Sequence, residues 1–155
     1  GAAAVIARKA GIFGMVGGQS LDVLLTDKPV NEKEMEFIFN LKTGALIEAA
    51  FMAGAILAGA GKECVSQLEK AGNLVGVAFQ IKDDILDVTS TQEVLGKPVF
   101  SDEKNNKTTY VTLYGMEKAA ADVENMSEKA ESIVKSIGDN EFLIELINKL
   151  ISREK

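Results

Sequence analysis

The pattern of apolar and polar positions along the chain predicts an almost wholly helical protein. Apolar residues recur every three or four positions over long stretches, and no alternating strand pattern of any length occurs. We therefore predict an all-α fold. The predicted helical stretches are 1–25 with a pause at Gly17–Gly18, 32–57, 62–88, 116–137, and 140–152.

Turn-forming residues separate these stretches. Pro29 lies in the predicted loop TDKPVN (26–31), and Asn31 followed by Glu34 has the spacing of a capping box at a helix start. Pro98 lies in a long loop rich in Ser, Thr, Asn and Gly. The remaining predicted boundaries are Gly61 after the second stretch, 89–107 as the long loop, Thr108 as the cap of a short helix, and Gly115 as its end.

The length and composition of the chain indicate a single acidic unit. The chain has 155 residues, of which 46% are hydrophobic, so 1–155 can form a single all-α unit with its own core. Its formal net charge of −6 argues against nucleic-acid binding, which usually needs a basic face. The one cysteine, Cys64, suits a reducing compartment, and the opening GAAAVIARKAGIFG shows no export signal. We therefore expect a cytoplasmic protein.

Two further features narrow the possible functions. The chain has no histidine, which excludes histidine-based triads and metal sites and leaves oxygen ligands suited to Mg²⁺ or Ca²⁺. The run Gly44–Gly61 is long enough to approach a bilayer span. However, Glu48 interrupts it and Ala and Gly dominate its composition. We therefore predict closely packed helices and no membrane span.

An acidic strip in FQIKDDILDV (79–88) is the most informative motif. On a helix, Gln80, Asp83, Asp84 and Asp87 fall within one arc about 100° wide, with apolar residues on both sides. A helix that is apolar on two sides is mostly buried, so the strip should face a crevice, where unpaired carboxylates are costly. Carboxylates at this spacing can share a hard divalent cation. The alternative is a solvated helix face, on which D-D-x-x-D also occurs.

Lysines in two places could serve a ligand in the same crevice. Lys97 and Lys107 belong to the loop after the strip, and together with a bound Mg²⁺ they would hold substrate phosphates, which suggests a diphosphate site. A solvated loop is the alternative. Lys42, Thr43 and Gly44 interrupt an apolar helix with an ammonium, a hydroxyl and a flexible residue, which indicates either ligand contact or a surface turn.

The stretch GMVGGQSLD (14–22) is the third unusual motif. Its paired glycines permit a close backbone approach, and Gln19 and Asp22 follow with an amide and a carboxylate one turn apart. The stretch lacks the G-x-G-x-x-G spacing and a preceding strand, so a dinucleotide-binding fold is not indicated.

Together and in this order, GMVGGQSLD, LKTGALI, FQIKDDILDV and GKPVFSDEKNNKTTYVTLYG resemble the C-terminal half of the trans-isoprenyl diphosphate synthases, the polyprenyl synthetase family. The resemblance is strongest to bacterial farnesyl diphosphate synthases. It implies half of a helical bundle around a central cavity. In that cavity isopentenyl diphosphate would condense with an allylic diphosphate, dimethylallyl or geranyl, to give farnesyl diphosphate. It also implies dependence on Mg²⁺, with Mn²⁺ as a substitute, and a homodimer.

The resemblance also implies roles for the matching residues. The aspartates match the second aspartate-rich motif of the family, and the lysines match positions near the diphosphates. The implied metal ligands are Asp83, Asp84 and Asp87, the catalytic residues Lys42, Thr43, Gln80 and Asp83, the diphosphate-binding residues Lys42, Lys97 and Lys107, and the supporting pair Gln19 and Asp22.

The chain departs from the family pattern in two respects. The family's first aspartate-rich motif and its nearby arginines belong upstream, and no second D-D-x-x-D occurs here. We therefore predict that the chain is the second half of an enzyme, inactive without its missing N-terminal half, and that product length is set largely outside it. Phe100 stands where the family's closing loop has glycine, which puts loop closure in doubt.

Two other functions stay open. A non-catalytic helical subunit of a prenyl synthase would tolerate Asp83→Ala and depend little on Mg²⁺. A class I terpene cyclase shares the all-α cavity, but its second metal motif is normally of an Asn/Ser/Glu type. A cyclase would convert an allylic diphosphate to hydrocarbon without isopentenyl diphosphate.

Overall fold

The computed structural model describes residues 1–89, 108–138 and 140–153, and these residues form helices without any strand. A π-helical segment, Phe39–Gly44, joins the third helix to the fourth. The all-α prediction is confirmed. The α-helices are α1 (Ala2–Ala10), α2 (Met15–Leu24), α3 (Glu32–Ile38), α4 (Ala45–Leu57), α5 (Lys62–Thr89), α6 (Tyr110–Tyr114), α7 (Met116–Ile137) and α8 (Glu141–Ile151).

Helix α5 forms the centre of the bundle and packs against α4, α6, α7, α8 and the π-helical segment. Towards its N-terminal half, Val75 is fully buried against Val134 of α7 and Ile147 of α8. Towards its C-terminal half, Ile81 is fully buried in a second cluster with Met35 of α3. Burial of large apolar side chains in two separate clusters, at about 1.5–3 kcal/mol each, explains why one 28-residue helix organises the rest.

Glycines bring α5 unusually close to the helix that carries the π-helical segment. A Cβ placed on Gly76 would lie 2.5 Å from the Cα of Gly44, and one on Gly72 would lie 2.8 Å from the Cα of Glu48. Neither position has room for a side chain, so the two backbones touch directly. The sequence predicted close helix packing for the small residues of the run Gly44–Gly61, and this packing is present at Gly44 and Glu48.

A buried polar network ties α1 to the same two helices. The Lys9 ammonium donates to Glu48 and, at 2.7 Å, to Glu69. Asn73 Nδ2 donates to Glu48 at 2.7 Å and to Asn40 at 2.9 Å. Burial lowers the pKa of Lys9, but the hydrogen bonds to the two glutamates outweigh it and the net pKa is raised. Glu48 is only 7% exposed and lies in an apolar helix, so its carboxylate requires hydrogen-bonding partners. The network supplies them.

One continuous helix among the described residues, Glu32–Leu57, is long and apolar enough to cross a membrane by length and composition alone. Core helices of water-soluble proteins meet the same criterion. This helix packs against α1 and α5 and contains the buried, ion-paired Glu48. These contacts favour the predicted packed helix, and the absence of a span stays a prediction.

Most predicted helix boundaries agree with the structure, and two differ, namely the break in the first stretch and the cap of α6. The break in the first stretch lies at 11–14, whereas Gly17 and Gly18 lie inside α2. The fourth helix ends at Leu57, as predicted for the stretch 32–57. The short helix α6 is capped by Thr109, not by Thr108.

The shift of the α6 cap from Thr108 to Thr109 follows from the hydrogen bonds of the two threonines. Thr109 forms a capping box with Thr112, which satisfies two backbone N–H groups at the start of α6. The hydroxyl of Thr108 instead accepts a hydrogen bond from the backbone N–H of Val30 at 3.2 Å. The predicted capping box of Asn31 with Glu34 at the start of α3 is present.

Candidate diphosphate site

A cavity of about 480 Å³ lies where α2, α3, the π-helical segment and α5 meet. Its wall combines polar groups from three of the predicted motifs with an apolar patch, the composition expected of a small-molecule site. The described residues that line it are the polar Asp22, Thr26, Asp27, Lys42, Gln80, Asp84 and Thr108 and the apolar Leu25, Val30, Met35, Ile38 and Phe39.

Asp22 and Lys42 form an ion pair at the cavity wall. The Lys42 ammonium donates to Asp22 Oδ2 at 2.6 Å, and both side chains are largely buried. Gly18 makes the pair possible, because a Cβ there would lie 2.3 Å from the backbone nitrogen of Lys42. The close backbone approach expected of the glycine pair is thus present. Its consequence is that the carboxylate of α2 fixes the lysine of the π-helical segment.

The π-helical segment connects Lys42 to the acidic strip through its neighbour Thr43. The Thr43 hydroxyl donates to Gln80 Oε1 at 3.0 Å, across the contact between the segment and α5. A π-helical turn is rare, and such turns are often found at functional sites. The segment ends at Gly44, where the sequence suggested a loosened helix.

Asp84 is a buried member of the acidic strip that lines the cavity. It is 5% exposed, and its Oδ2 accepts a hydrogen bond from the backbone N–H of Tyr110 at 2.7 Å. Asp87, one turn later, is 3% exposed. Both carboxylates make further interactions within the protein. The prediction that charged groups of the strip lie at buried positions is therefore correct for these two residues.

Asp83 faces in a different direction from Asp84. Its carboxylate pairs with the guanidinium of Arg153, which follows α8, and its side chain is 40% exposed. The same guanidinium donates to the carbonyl oxygen of Phe79 at 3.2 Å and lies 3.6 Å above the Phe79 ring. The strip is thus divided between two surroundings, with Gln80 and Asp84 at the cavity and Asp83 at Arg153.

The donor set of the strip suits a hard cation. Carboxylate, amide and hydroxyl oxygens are available, and the chain has no histidine. Within residues 1–89, 108–138 and 140–153, no three Asp, Glu, Cys or His side chains converge as a metal cage. Mg²⁺ commonly uses one or two carboxylates and takes its other ligands from water and substrate phosphates. The residues present therefore fit Mg²⁺ bound together with a phosphate ligand.

The predicted site residues are brought together only in part. Asp22, Lys42, Gln80 and Asp84 line one cavity, with Thr43 bonded to its wall. Gln19 is half-buried on α2 and is not among the described residues lining that cavity. The predictions for Lys97, Lys107 and Phe100 lie outside the described residues.

Two contacts of the site were not predicted from the sequence. The pairing of Arg153 with Asp83 has no sequence signal because 70 positions separate the two residues. Tyr110 was assigned to a short helix, and its backbone bond to Asp84 has no sequence signal because 26 positions separate the two residues.

Tyr110 also anchors α6 through its side chain. Its hydroxyl donates to Asp122 Oδ2 at 2.6 Å, and Lys118 donates to the same oxygen at 2.6 Å. Burial and the bond to Asp122 raise the pKa of Tyr110 well above its usual value of 10.0. Hydrogen bonds from Lys118 and Tyr110 lower the pKa of Asp122. This arrangement holds the backbone N–H that reaches Asp84.

We expect the stability of the protein to fall at alkaline pH in part because of Tyr110. Its pKa is raised on folding, so its contribution is complete below the unfolded value near pH 10 and is lost as pH rises above it. The raised pKa of Lys9 acts in the same direction. Denaturant unfolding between pH 8 and about pH 11 should show a shallower alkaline decline for Tyr110→Phe than for the wild type. An unchanged decline would contradict the assignment.

Comparison with known proteins shows the family of the chain. The chain matches the polyprenyl synthetase family over residues 3–147. It is 37% identical to the farnesyl diphosphate synthase of Escherichia coli, over 97% of this chain and 52% of that protein. It is 40% identical to the geranylgeranyl diphosphate synthase of Cyanophora paradoxa, over 83% of this chain and 43% of that protein. The chain thus spans about half the length of these relatives.

Solved structures of prenyl diphosphate synthases also align with nearly the whole chain. A geranyltransferase from Helicobacter pylori, complexed with magnesium and isoprenyl diphosphate, aligns with a TM-score of 0.79 and 29% identity over 97% of this chain and 50% of that chain. Heptaprenyl diphosphate synthase from Staphylococcus aureus aligns with a TM-score of 0.88 and 25% identity over 99% of this chain and 60% of that chain. The match over nearly all of the described helices shows that this chain belongs to the polyprenyl synthetase family.

Proposed function

We propose that the cavity binds the diphosphate of an allylic substrate in a Mg²⁺-dependent prenyltransferase. The observation that carries the proposal is the convergence of Lys42, Gln80 and Asp84 on one apolar-walled cavity, with Asp22 fixing the lysine. These residues come from three separate motifs, with Asp22 in GMVGGQSLD, Lys42 in LKTGALI, and Gln80 and Asp84 together in FQIKDDILDV, and each motif resembles the family pattern. The magnesium and isoprenyl diphosphate named for the Helicobacter pylori relative support the same ligand class.

The charges at the cavity suit departure of a diphosphate. Lys42 has three N–H donors, of which one is directed to Asp22, so it can donate to a phosphate oxygen while remaining in place. Carboxylates among Asp83, Asp84 and Asp87 are proposed to hold Mg²⁺, which would supply positive charge next to a diphosphate. Lys97 and Lys107 are proposed as further diphosphate ligands. Fixed ammonium groups act most strongly where water is excluded.

The apolar wall of the cavity would receive the prenyl part of the substrate. Met35, Ile38 and Phe39 line it and belong to the second core cluster, so their positions are set by packing. Thr43 and Gln80, bonded to each other, are proposed to orient polar atoms at the boundary between the wall and the acidic strip. An apolar, water-poor wall would also protect a carbocation from capture by water.

We further propose that the chain acts as the second half of a farnesyl diphosphate synthase and is inactive by itself. It carries a single D-D-x-x-D motif and about half the length of its relatives. Large apolar side chains on α1–α4 and their connections are exposed, among them Ile12, Phe13 and Leu57. The N-terminal half would cover part of this surface. The whole protein is proposed to be a cytoplasmic homodimer.

Activity assays test this proposal. With Mg²⁺, isopentenyl diphosphate and geranyl diphosphate, we expect no product from the chain alone and a C15 diphosphate when the N-terminal half of the whole protein is supplied. Hydrocarbon formed from geranyl diphosphate alone would indicate a cyclase. No Mg²⁺-dependent product under either condition would favour the non-catalytic subunit, and a C20 product would correct the product length.

A further inference from the structure

Arg153 is held beside the acidic strip by three separate interactions. Its guanidinium pairs with Asp83, donates to the Phe79 carbonyl at 3.2 Å, and stacks on the Phe79 ring at 3.6 Å. Phe79 and Asp83 are one turn apart on α5, so the guanidinium follows one face of that helix. Ile151, at the end of α8, packs against both core clusters and places the segment that carries Arg153.

The guanidinium of the pair is largely protected from water, whereas the Asp83 carboxylate is partly exposed. The Arg153 side chain is 21% exposed, and its Nε is buried without a hydrogen-bond partner among the described residues. Stacking on Phe79 keeps the guanidinium in position independently of the carboxylate. Arg153 is therefore a fixed cation and not a side chain that meets Asp83 only occasionally.

A fixed cation at Asp83 opposes binding of another cation to the same carboxylate. The guanidinium occupies one carboxylate oxygen, and its charge repels a divalent ion placed a few ångströms away. Binding of a divalent ion at Asp83 must therefore displace Arg153 or proceed against its charge. Displacement weakens the apparent affinity by the free energy of the Arg153–Asp83 interaction, and binding beside the guanidinium weakens it through charge repulsion.

We propose that Arg153 is a built-in counter-cation that occupies Asp83 when no divalent cation is bound and thereby sets the divalent-cation affinity of the acidic strip. This proposal rests on the proposed function, because it requires that the strip binds divalent cations. It assigns Arg153 a regulating position next to a metal ligand.

Direct Mn²⁺ binding tests the proposal without an activity measurement. Free Mn²⁺ is followed by electron paramagnetic resonance during titration of the wild type, Arg153→Gln and Arg153→Lys. We expect Arg153→Gln to bind Mn²⁺ roughly three- to tenfold more tightly than the wild type, since a partly exposed charged pair is lost. Arg153→Lys keeps the charge and should stay closer to the wild type.

Arg8→Gln is the matched control. It removes the same charge from the only other arginine, which lies exposed on α1, and should leave Mn²⁺ affinity nearly unchanged. Equal affinities for Arg153→Gln and Arg8→Gln, or weaker binding by Arg153→Gln, would overturn the proposal alone. Failure of every variant to bind Mn²⁺ saturably would overturn both this proposal and the metal site of the proposed function.

A second readout covers the case in which Arg153→Gln perturbs the fold. The chain has only two arginines, so their side-chain Nε–Hε signals are readily assigned in a nitrogen-15 spectrum. Titration of the wild type with Mg²⁺ should move the Arg153 signal and leave the Arg8 signal in place. Mg²⁺ binding with an unmoved Arg153 signal would show that the pair is not displaced and would overturn the proposal.

Discussion

Asp84→Asn in the complete synthase should lower kcat by about a hundred- to a thousandfold while leaving the fold intact. The amide is nearly isosteric with the carboxylate and its oxygen can still accept the hydrogen bond from the backbone N–H of Tyr110. What is lost is the negative charge at the wall of the cavity, and with it a proposed Mg²⁺ ligand. Steady-state kinetics with geranyl and isopentenyl diphosphates would measure the effect.

Asp27→Asn provides the matched control for this prediction. Asp27 lines the same cavity but lies exposed in the connection after α2, and asparagine tolerates its positive φ of 61°. Its replacement removes one carboxylate charge without touching the acidic strip and should change kcat by less than about threefold. Equal losses for the two variants would mean that the overall charge of the cavity matters and not the position of Asp84.

Gly76→Ala should lower the free energy of unfolding by roughly 1–3 kcal/mol. The added Cβ would lie 2.5 Å from the Cα of Gly44, so α5 must move away from the π-helical segment. That movement should also lengthen the hydrogen bond between Thr43 and Gln80, because both side chains lie at the same contact. Denaturant unfolding measures the loss of stability.

Gly54→Ala is the corresponding control in α4. A Cβ at Gly54 meets no atom within 4 Å, so the substitution brings only the helix-forming advantage of alanine. It should raise the free energy of unfolding by roughly 0.5–1 kcal/mol. If Gly76→Ala raised the free energy of unfolding as much as Gly54→Ala, that result would contradict the direct backbone contact between α5 and Gly44.

Local patterns predicted much of the fold because their causes are local. The amphipathic stretch 116–137 forms α7 with the same bounds, and the Asn31 capping box needs only residues three positions apart. The long stretch 62–88 differs from α5 by one residue. The position of the acidic strip on α5 followed directly from helical periodicity.

The misplaced helix break in the first stretch was caused by a contact between residues that are distant in the sequence. Gly17 and Gly18 looked like a helix break, but Gly18 lies within α2 because its missing side chain lets the helix touch the backbone of Lys42. The real break at 11–14 carries glycines as well, and the sequence alone does not distinguish the two pairs. Glycine occurs both in turns and where two helix backbones are in contact, and only the packed structure distinguishes the two cases.

The candidate site was predicted only in part, because some of its contacts join residues that are far apart in the sequence. Motif spacing singled out Asp22, Lys42, Gln80 and Asp84, which the structure brings to one cavity. The pairing of Asp83 with Arg153 spans 70 positions and has no local pattern. Glu48 was noticed as a charge in an apolar helix, but its partner Lys9 is 39 positions away and is brought near by packing of α1.

A crystal structure of the complete protein grown with Mg²⁺ and inorganic diphosphate would test the central claim most directly. The account predicts diphosphate in the cavity of about 480 Å³, within hydrogen-bonding distance of the Lys42 ammonium, and Mg²⁺ bound by carboxylates of the acidic strip. Diphosphate and Mg²⁺ bound elsewhere, with only water between Lys42 and Asp84, would contradict it.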